Sequence, residues 1–228
     1  MHANVNLEAP IGALLFAATA LILSGITGAF LYTLIRGNRR LANVFTVLFM
    51  SVVGGYLVLL VAFSLVSKEK VLSRGQEKHF CEMDCHIAYS IADVMRVKGL
   101  TTYDREMTAR GLYYVVGLKT RFDENTITPT RGNGLLYPKR RAVAVVDDDG
   151  HHYVPVTEID SSSIPFTSRH VPITTPLRPG ESYISIFVFD LPQDVKNPTL
   201  LISESAWPTY LVVGRENSLW HGKTRLQL

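Results

Sequence analysis

Two long stretches of this sequence lack charge altogether. Residues 11–35 and 41–66 hold no Asp, Glu, Lys, Arg or His. That excludes an ordinary soluble domain over the first third of the chain, because surface helices need a polar face. Cysteine is scarce too: Cys81 and Cys85 are the whole inventory, which excludes a disulfide-dense scaffold. No Gly-x-Ser-x-Gly elbow, phosphate loop or dinucleotide fingerprint occurs. Glu204 and Glu216 give no sign of acting as paired catalytic carboxylates. The formal net charge is +3, with no long Lys/Arg run, so nothing argues for nucleic acid. The chain reads as a non-enzyme with no evident small-molecule substrate.

The charge-free runs are 25 and 26 residues long. About 20 apolar residues cross a hydrocarbon core of about 30 Å, so the sequence predicts a transmembrane hairpin over residues 11–66. Residues 1–10 contain no Lys or Arg, which a signal peptide would want. Arg36, Arg39 and Arg40 crowd the connection at 36–40 and mark it as cytoplasmic. The tail at 1–10, the rest of the chain and both termini then face the extracytoplasmic side. Lys68, Lys70, Arg74 and Lys78 pull the other way, interleaved with Glu69 and Glu77. Small residues recur four apart in the spans: Ser24 with Gly28, Gly25 with Ala29, Ser51 with Gly55. Such faces let helices approach closely, either within the hairpin or against helices of another subunit. Neither span holds an ionisable group, which argues against an ion path or intramembrane haem ligands.

From residue 67 the texture becomes short β-branched and aromatic runs between turn signals. Candidate strands are 79–90, 111–122, 141–147, 151–156, 183–190, 199–203 and 209–213. Asp147, Asp148, Asp149 and Gly150 suit a hairpin turn better than a cation loop. Residues 123–139 and 158–179 are long polar loops of the kind that carry partner contacts.

The stretches 111–118 (GLYYVVGL), 143–153 (VAVVDDDGHHY), 177–183 (LRPGESY) and 187–192 (FVFDLP) together resemble the immunoglobulin-like domain of bacterial extracytoplasmic lipoproteins. The resemblance implies a fold and a compartment but no chemistry. It departs from that family at the anchor, which here is a helical hairpin instead of a lipidated cysteine. The expected fold is a membrane-anchored all-β protein: a two-helix transmembrane hairpin, then an immunoglobulin-like antiparallel β-sandwich over 67–228 with a C-terminal tail.

Residues 79–86 hold the densest set of ligand-type side chains: His79, Cys81, Met83, Cys85 and His86. A Cys81–Cys85 disulfide suits a periplasmic head, provided the chain turns there, since four residues of straight strand span about 13 Å. Haem c is a second reading, with His86 as proximal ligand and Met95 or Met107 distal. Copper is a third, with His79, Cys81, Met83 and Cys85 sharing one strand face. The cluster and two-helix anchor are similar to the binuclear copper subunit of oxidases, but that family's next histidine position is Tyr89 here. Two free thiols complete the alternatives.

With no catalytic set, the expected function is an accessory subunit that stabilises a larger inner-membrane complex. By analogy that complex is an energy-transducing one, respiratory or photosynthetic. Its partners would be lipid and other subunits, contacted through Ser24, Gly25, Gly28, Ser51 and Gly55, and through Trp207, Tyr210 and Trp220 unless those close the sandwich core. No cofactor is expected. The alternatives are a copper or haem electron carrier and a stand-alone envelope binding module.

Overall fold

A computed structural model describes residues 8–80, 86–101, 106–126, 132–159, 164, 170–204 and 206–228. These residues divide into two compact units: 8–68 with 206–223, and 69–204 with 224–228.

In the first unit, α1 (Glu8–Ile35) and α2 (Arg39–Val66) are 28 residues each. Both start slightly earlier than the charge-free runs suggest, because Arg39 and Arg40 join α2. The reversal is short. Gly37, at φ +70°, donates its N–H to the Leu34 carbonyl at 3.0 Å, and Asn38 donates to Thr33 at 3.0 Å. This paired closure is the Schellman end that glycine favours. The Asn38 side chain then accepts from Leu41 N–H at 3.3 Å and caps α2. Along the helices the hydroxyls of Thr19, Ser24, Thr27, Thr46 and Ser51 donate to carbonyls one turn earlier, at 2.8–3.1 Å. They are satisfied without water, as an apolar surrounding requires.

The second unit is a β-sandwich. One sheet runs β2 (Lys78–Phe80), β3 (Ile87–Thr101), β4 (Glu106–Phe122), β7 (Ser182–Leu191). The other runs β1 (Lys70–Leu72), β9 (Thr224–Gln227), β8 (Thr199–Glu204), β5 (Arg141–Val146), β6 (His152–Tyr153). Pairing is antiparallel except β1 with β9. Those two strands come from opposite ends of the unit, so no tight turn forces them to oppose.

Alternation along the central strands builds two cores. Tyr114, Val116 and Leu118 of β4, with Phe189 and Leu191 of β7, face Val143, Val145, Leu200, Ile202 and Leu226 of the other sheet. Tyr113 and Val115, with Ile186 and Val188, face outward and would meet water. There the long segment after β6 covers them, seating Ile159 and Ile164 in a second cluster. Val156 N–H donates to Val188 O at 2.8 Å, and Val171 N–H to Ile184 O at 2.9 Å. These bonds occupy the open edge of β7, which otherwise invites aggregation. Part of the loop expected to meet partners therefore completes the fold.

Four expectations about strands change. The strand read over 151–156 is only His152–Tyr153, since Pro155 supplies no N–H to a ladder. Residues 79–90 are not one strand, because Phe80 and Ile87 are paired across the β2–β3 register and the chain reverses between them. β3 runs on to Thr101 through irregularities at 91–93 and 97–99. Residues 209–213 do not form a strand; Trp207–Leu211 is a 3-10 turn, where Pro208 supplies no N–H to a ladder. The Asp147–Gly150 turn is as read: Gly150 has φ +80°, and Asp147 accepts from His151 N–H at 2.8 Å and from the Tyr153 hydroxyl at 3.0 Å.

Gly111 sits in a tight backbone approach within the sandwich. A Cβ there would lie 2.7 Å from the Leu191 carbonyl carbon and 2.9 Å from Pro192 Cα. Asp190 holds the spot by accepting from the N–H groups of Arg110 and Gly111, both at 3.0 Å. Gly111→Ala should lower unfolding stability by about 2–3 kcal/mol, measured on the full chain in detergent by β-sheet circular dichroism.

Candidate functional site

The C-terminal segment 206–223 packs on the helical hairpin. Tyr56, Leu60, Ser64 and Ser67 follow one another at helical spacing and make one stripe up α2. The stripe is bonded to the segment at both ends. The Tyr56 hydroxyl donates to Leu211 O at 2.6 Å, and Gly222 N–H donates to Ser67 Oγ at 2.7 Å. Between them Leu60 and Ser64 are 1% exposed. On α1 the absence of a side chain at Gly12 leaves room for the Val213 carbonyl, which any Cβ would strike. The segment is also tied to itself, with Leu219 N–H on Tyr210 O at 3.2 Å and Ser218 N–H on Arg215 O at 2.8 Å. Val212 and Val213 are buried, whereas Trp207 is 69% and Trp220 71% exposed, and Tyr210 is 38% exposed. The reading in which these aromatics close the sandwich core is therefore corrected. Sequence inspection missed Gly12, Tyr56 and Ser67 as their supports. Tyr56, a phenol inside an otherwise apolar run, was the available signal.

The small residues of the spans point outward. Ser24, Gly25, Gly28, Ser51 and Gly55 are all exposed, and a Cβ at Gly25, Gly28, Gly54 or Gly55 would meet nothing within 4 Å. The hairpin instead buries Ile26, Thr33 and Ala42. A groove of about 260 Å³ between the helices is lined by Ile26, Thr27, Phe30, Phe45, Thr46 and Phe49. Packing within the hairpin is thus not what the small residues serve.

Of the ligand-type cluster, Cys81, Met83 and Cys85 lie outside the described residues. The reversal between Phe80 and Ile87 removes the straight strand on which a one-face copper site depended. His86 is 1% exposed, its ring 5.4 Å from that of Phe122, while Met95 and Met107 pack against the second core.

His79 has different company. Its Nε2 is 3.1 Å from Asp123 Oδ2 and 3.9 Å from Glu77 Oε2. Glu77, His79 and Asp123 place ligand atoms within 4.8 Å of one another, a donor set suited to a divalent cation. Arg121 already occupies the carboxylates, however. It donates through Nε and Nη2 to Glu77 at 2.8 and 2.6 Å and through Nη1 to Asp123 at 3.3 Å. An added cation would stand beside a fixed guanidinium, so the arrangement works as an ion-pair network joining β2 to β4. The Arg121 hydrogen bond holds the Glu77 carboxyl below its usual range, against the burial that raises it. For Asp123 burial is the largest influence and raises the pKa. Bonds from Asn125 and His79 and the charge of Arg121 outweigh it, and the carboxyl titrates lower than usual. Asp147, Asp149 and His151 form a second such group, but Asp147 is engaged in its turn. Glu204 pairs with buried Arg141 at 2.5 Å, whose guanidinium lies 4.3 Å from the Phe80 ring centre.

Arg121→Ala should cost about 2 kcal/mol, because it strands two partly buried carboxylates. Glu77 and Asp123 have depressed pKa values in the fold. Their contribution is complete above the ordinary carboxylate range and disappears as pH falls through and below it. Glu77→Gln should flatten that acid limb of the stability–pH curve. By contrast, Trp207→Ala and Trp220→Ala should leave the thermal transition of the sandwich within about 0.5 kcal/mol of the parent.

No protein-family model matches the chain, and no curated protein matches it. Among solved structures it is similar to an uncharacterised β-sandwich protein of Clostridium difficile 630, at 11% identity over 71% of this chain and 95% of that one, TM-score 0.38. A secreted Mycobacterium tuberculosis protein, MPT63, is 10% identical over 70% and 98% of the two chains, TM-score 0.43. A conserved hypothetical protein of Bacillus anthracis is 14% identical over 59% and 91%, TM-score 0.41.

Proposed function

We propose that this chain is a membrane-anchored, non-catalytic accessory subunit. Its hairpin spans a bacterial inner membrane, and its immunoglobulin-like head stands on the periplasmic side. It braces a larger integral complex, of the energy-transducing respiratory or photosynthetic kind. The outward small-residue faces of the hairpin carry this reading. Lipid offers helices no hydrophobic drive to associate, so close backbone approach is what holds them together. Ser24, Gly25 and Gly28 on α1, and Ser51, Gly54 and Gly55 on α2, are exposed and permit such approach. The arginines at the hairpin turn and the nearly uncharged residues 1–10 support the orientation.

Native electrophoresis of membranes solubilised in mild detergent tests the central claim. The parent should migrate in a large assembly, and Gly25→Leu with Gly55→Leu should release it as a small species while its sandwich stays folded. Migration of the parent as a small species would leave the envelope binding module as the better account. A phosphatase fused after Leu228 should be active in the periplasm; an inactive fusion on intact protein would reverse the orientation. A haem or copper–thiolate band in the visible spectrum of the purified protein would favour an electron carrier built on residues 79–86.

A further inference from the structure

We infer that residues 206–223 form an interfacial anchor, laying Trp207, Tyr210 and Trp220 into the headgroup–acyl boundary of the bilayer at the end where α1 begins and α2 finishes. The inference rests on the reading that the hairpin spans the membrane.

Depth along the helices is the first argument. At about 1.5 Å per residue, a hydrocarbon layer of about 30 Å entered just after Arg40 is left near Leu60. On that scale Tyr56 lies about 25 Å above Arg39 and Ser67 about 42 Å above it, while Gly12 lies about 35 Å above Ile35. These three residues are the ones that hold the segment, through Leu211, Gly222 and Val213. The attachment points therefore bracket the boundary between acyl chains and headgroups. Each helix is longer than the hydrocarbon layer needs, and the surplus turns are where the segment binds.

Side-chain chemistry is the second argument. The segment turns Val212 and Val213 inward and leaves its ring systems outward. Tryptophan and tyrosine pair an apolar ring with a polar N–H or O–H, and they concentrate at membrane interfaces for that reason. Leu219 is exposed beside Trp220, so the outward face is apolar without carrying a charge of its own at these positions. Trp220 adopts φ +59°, a conformation that bulky side chains avoid. It does so in the turn that His221 N–H closes on the Ser218 carbonyl at 3.2 Å, which leaves the ring 71% exposed. Lipid at this depth is the surrounding that the helix geometry supplies.

Trp207 and Trp220 are the only tryptophans in the sequence, so intrinsic fluorescence reports on this segment alone. The full chain, purified and reconstituted into phosphatidylcholine vesicles, should show emission quenched strongly by lipids brominated near the carbonyl end. Lipids brominated deep in the acyl chain should quench it less, and aqueous iodide little. Trp207→Phe and Trp220→Phe should each retain that order of quenching from the remaining ring. Strong iodide quenching with no effect of brominated lipid would overturn the inference and return these rings to a protein partner. Strongest quenching by the deep bromine label would overturn it as well. Alkaline carbonate extraction separates the two premises. A protein that resists extraction yet gives strong iodide quenching keeps its spanning hairpin and loses only the interfacial anchor. A protein released by carbonate loses both.

Discussion

The two helices carry a large apolar surface that the described residues of their own unit leave exposed. Among the described residues of α1 and α2, few are buried, and large side chains such as Leu14, Leu21, Val58 and Phe63 are at least half exposed. Burying a side chain of this size is worth about 1.5–3 kcal/mol, so leaving the whole set in water is untenable. The rest of the architecture accommodates that surplus. The connection is reduced to a Schellman end and a cap, the hydroxyls bond within their own helix, and one face of the upper turns is taken by the C-terminal segment.

The sandwich solves a different problem. Its central strands are buried on both faces, so a two-layer arrangement alone would leave Tyr113, Val115, Ile186 and Val188 uncovered. The segment after β6 supplies the missing layer and blocks the edge of β7 in the same stroke. The parallel β1–β9 pair has a comparable economy. Lys70 pairs with Thr224; the first lies two residues after the helical unit and the second directly follows the 206–223 excursion. One short ladder thus joins two segments distant in sequence.

The polar clusters are consistent with structural roles. Arg121 joins Glu77 to Asp123, Arg141 joins Glu204 beneath Phe80, and Lys78 donates to the carbonyls of Ile202 and Thr224 at 2.9 and 2.8 Å. Each links strands distant in sequence, and each charge is met by a partner, as buried charge demands. In the Glu77–His79–Asp123 group both carboxylates are met by the guanidinium of Arg121.

The helices, their connection and most strands of the sandwich are legible in the sequence, because charge-free length and two-residue alternation are local properties set by burial. The hairpin turn at Asp147–Gly150 is legible for the same reason, since glycine's backbone freedom acts within four residues. Other features were decided only in three dimensions. The strand read over 79–90 is divided into two, because Phe80 pairs with Ile87, a choice of register. Residues 209–213 carry β-type side chains yet form a 3-10 turn and a buried strip on α1 and α2, because Tyr56 and the bare backbone of Gly12 offer Leu211 and Val213 partners more than a hundred residues away. Ser24, Gly25, Gly28, Ser51 and Gly55 have the same spacing whether they face the neighbouring helix or the outside. Periodicity defines a face, but only the packing of Ile26, Thr33 and Ala42 decides which way that face turns.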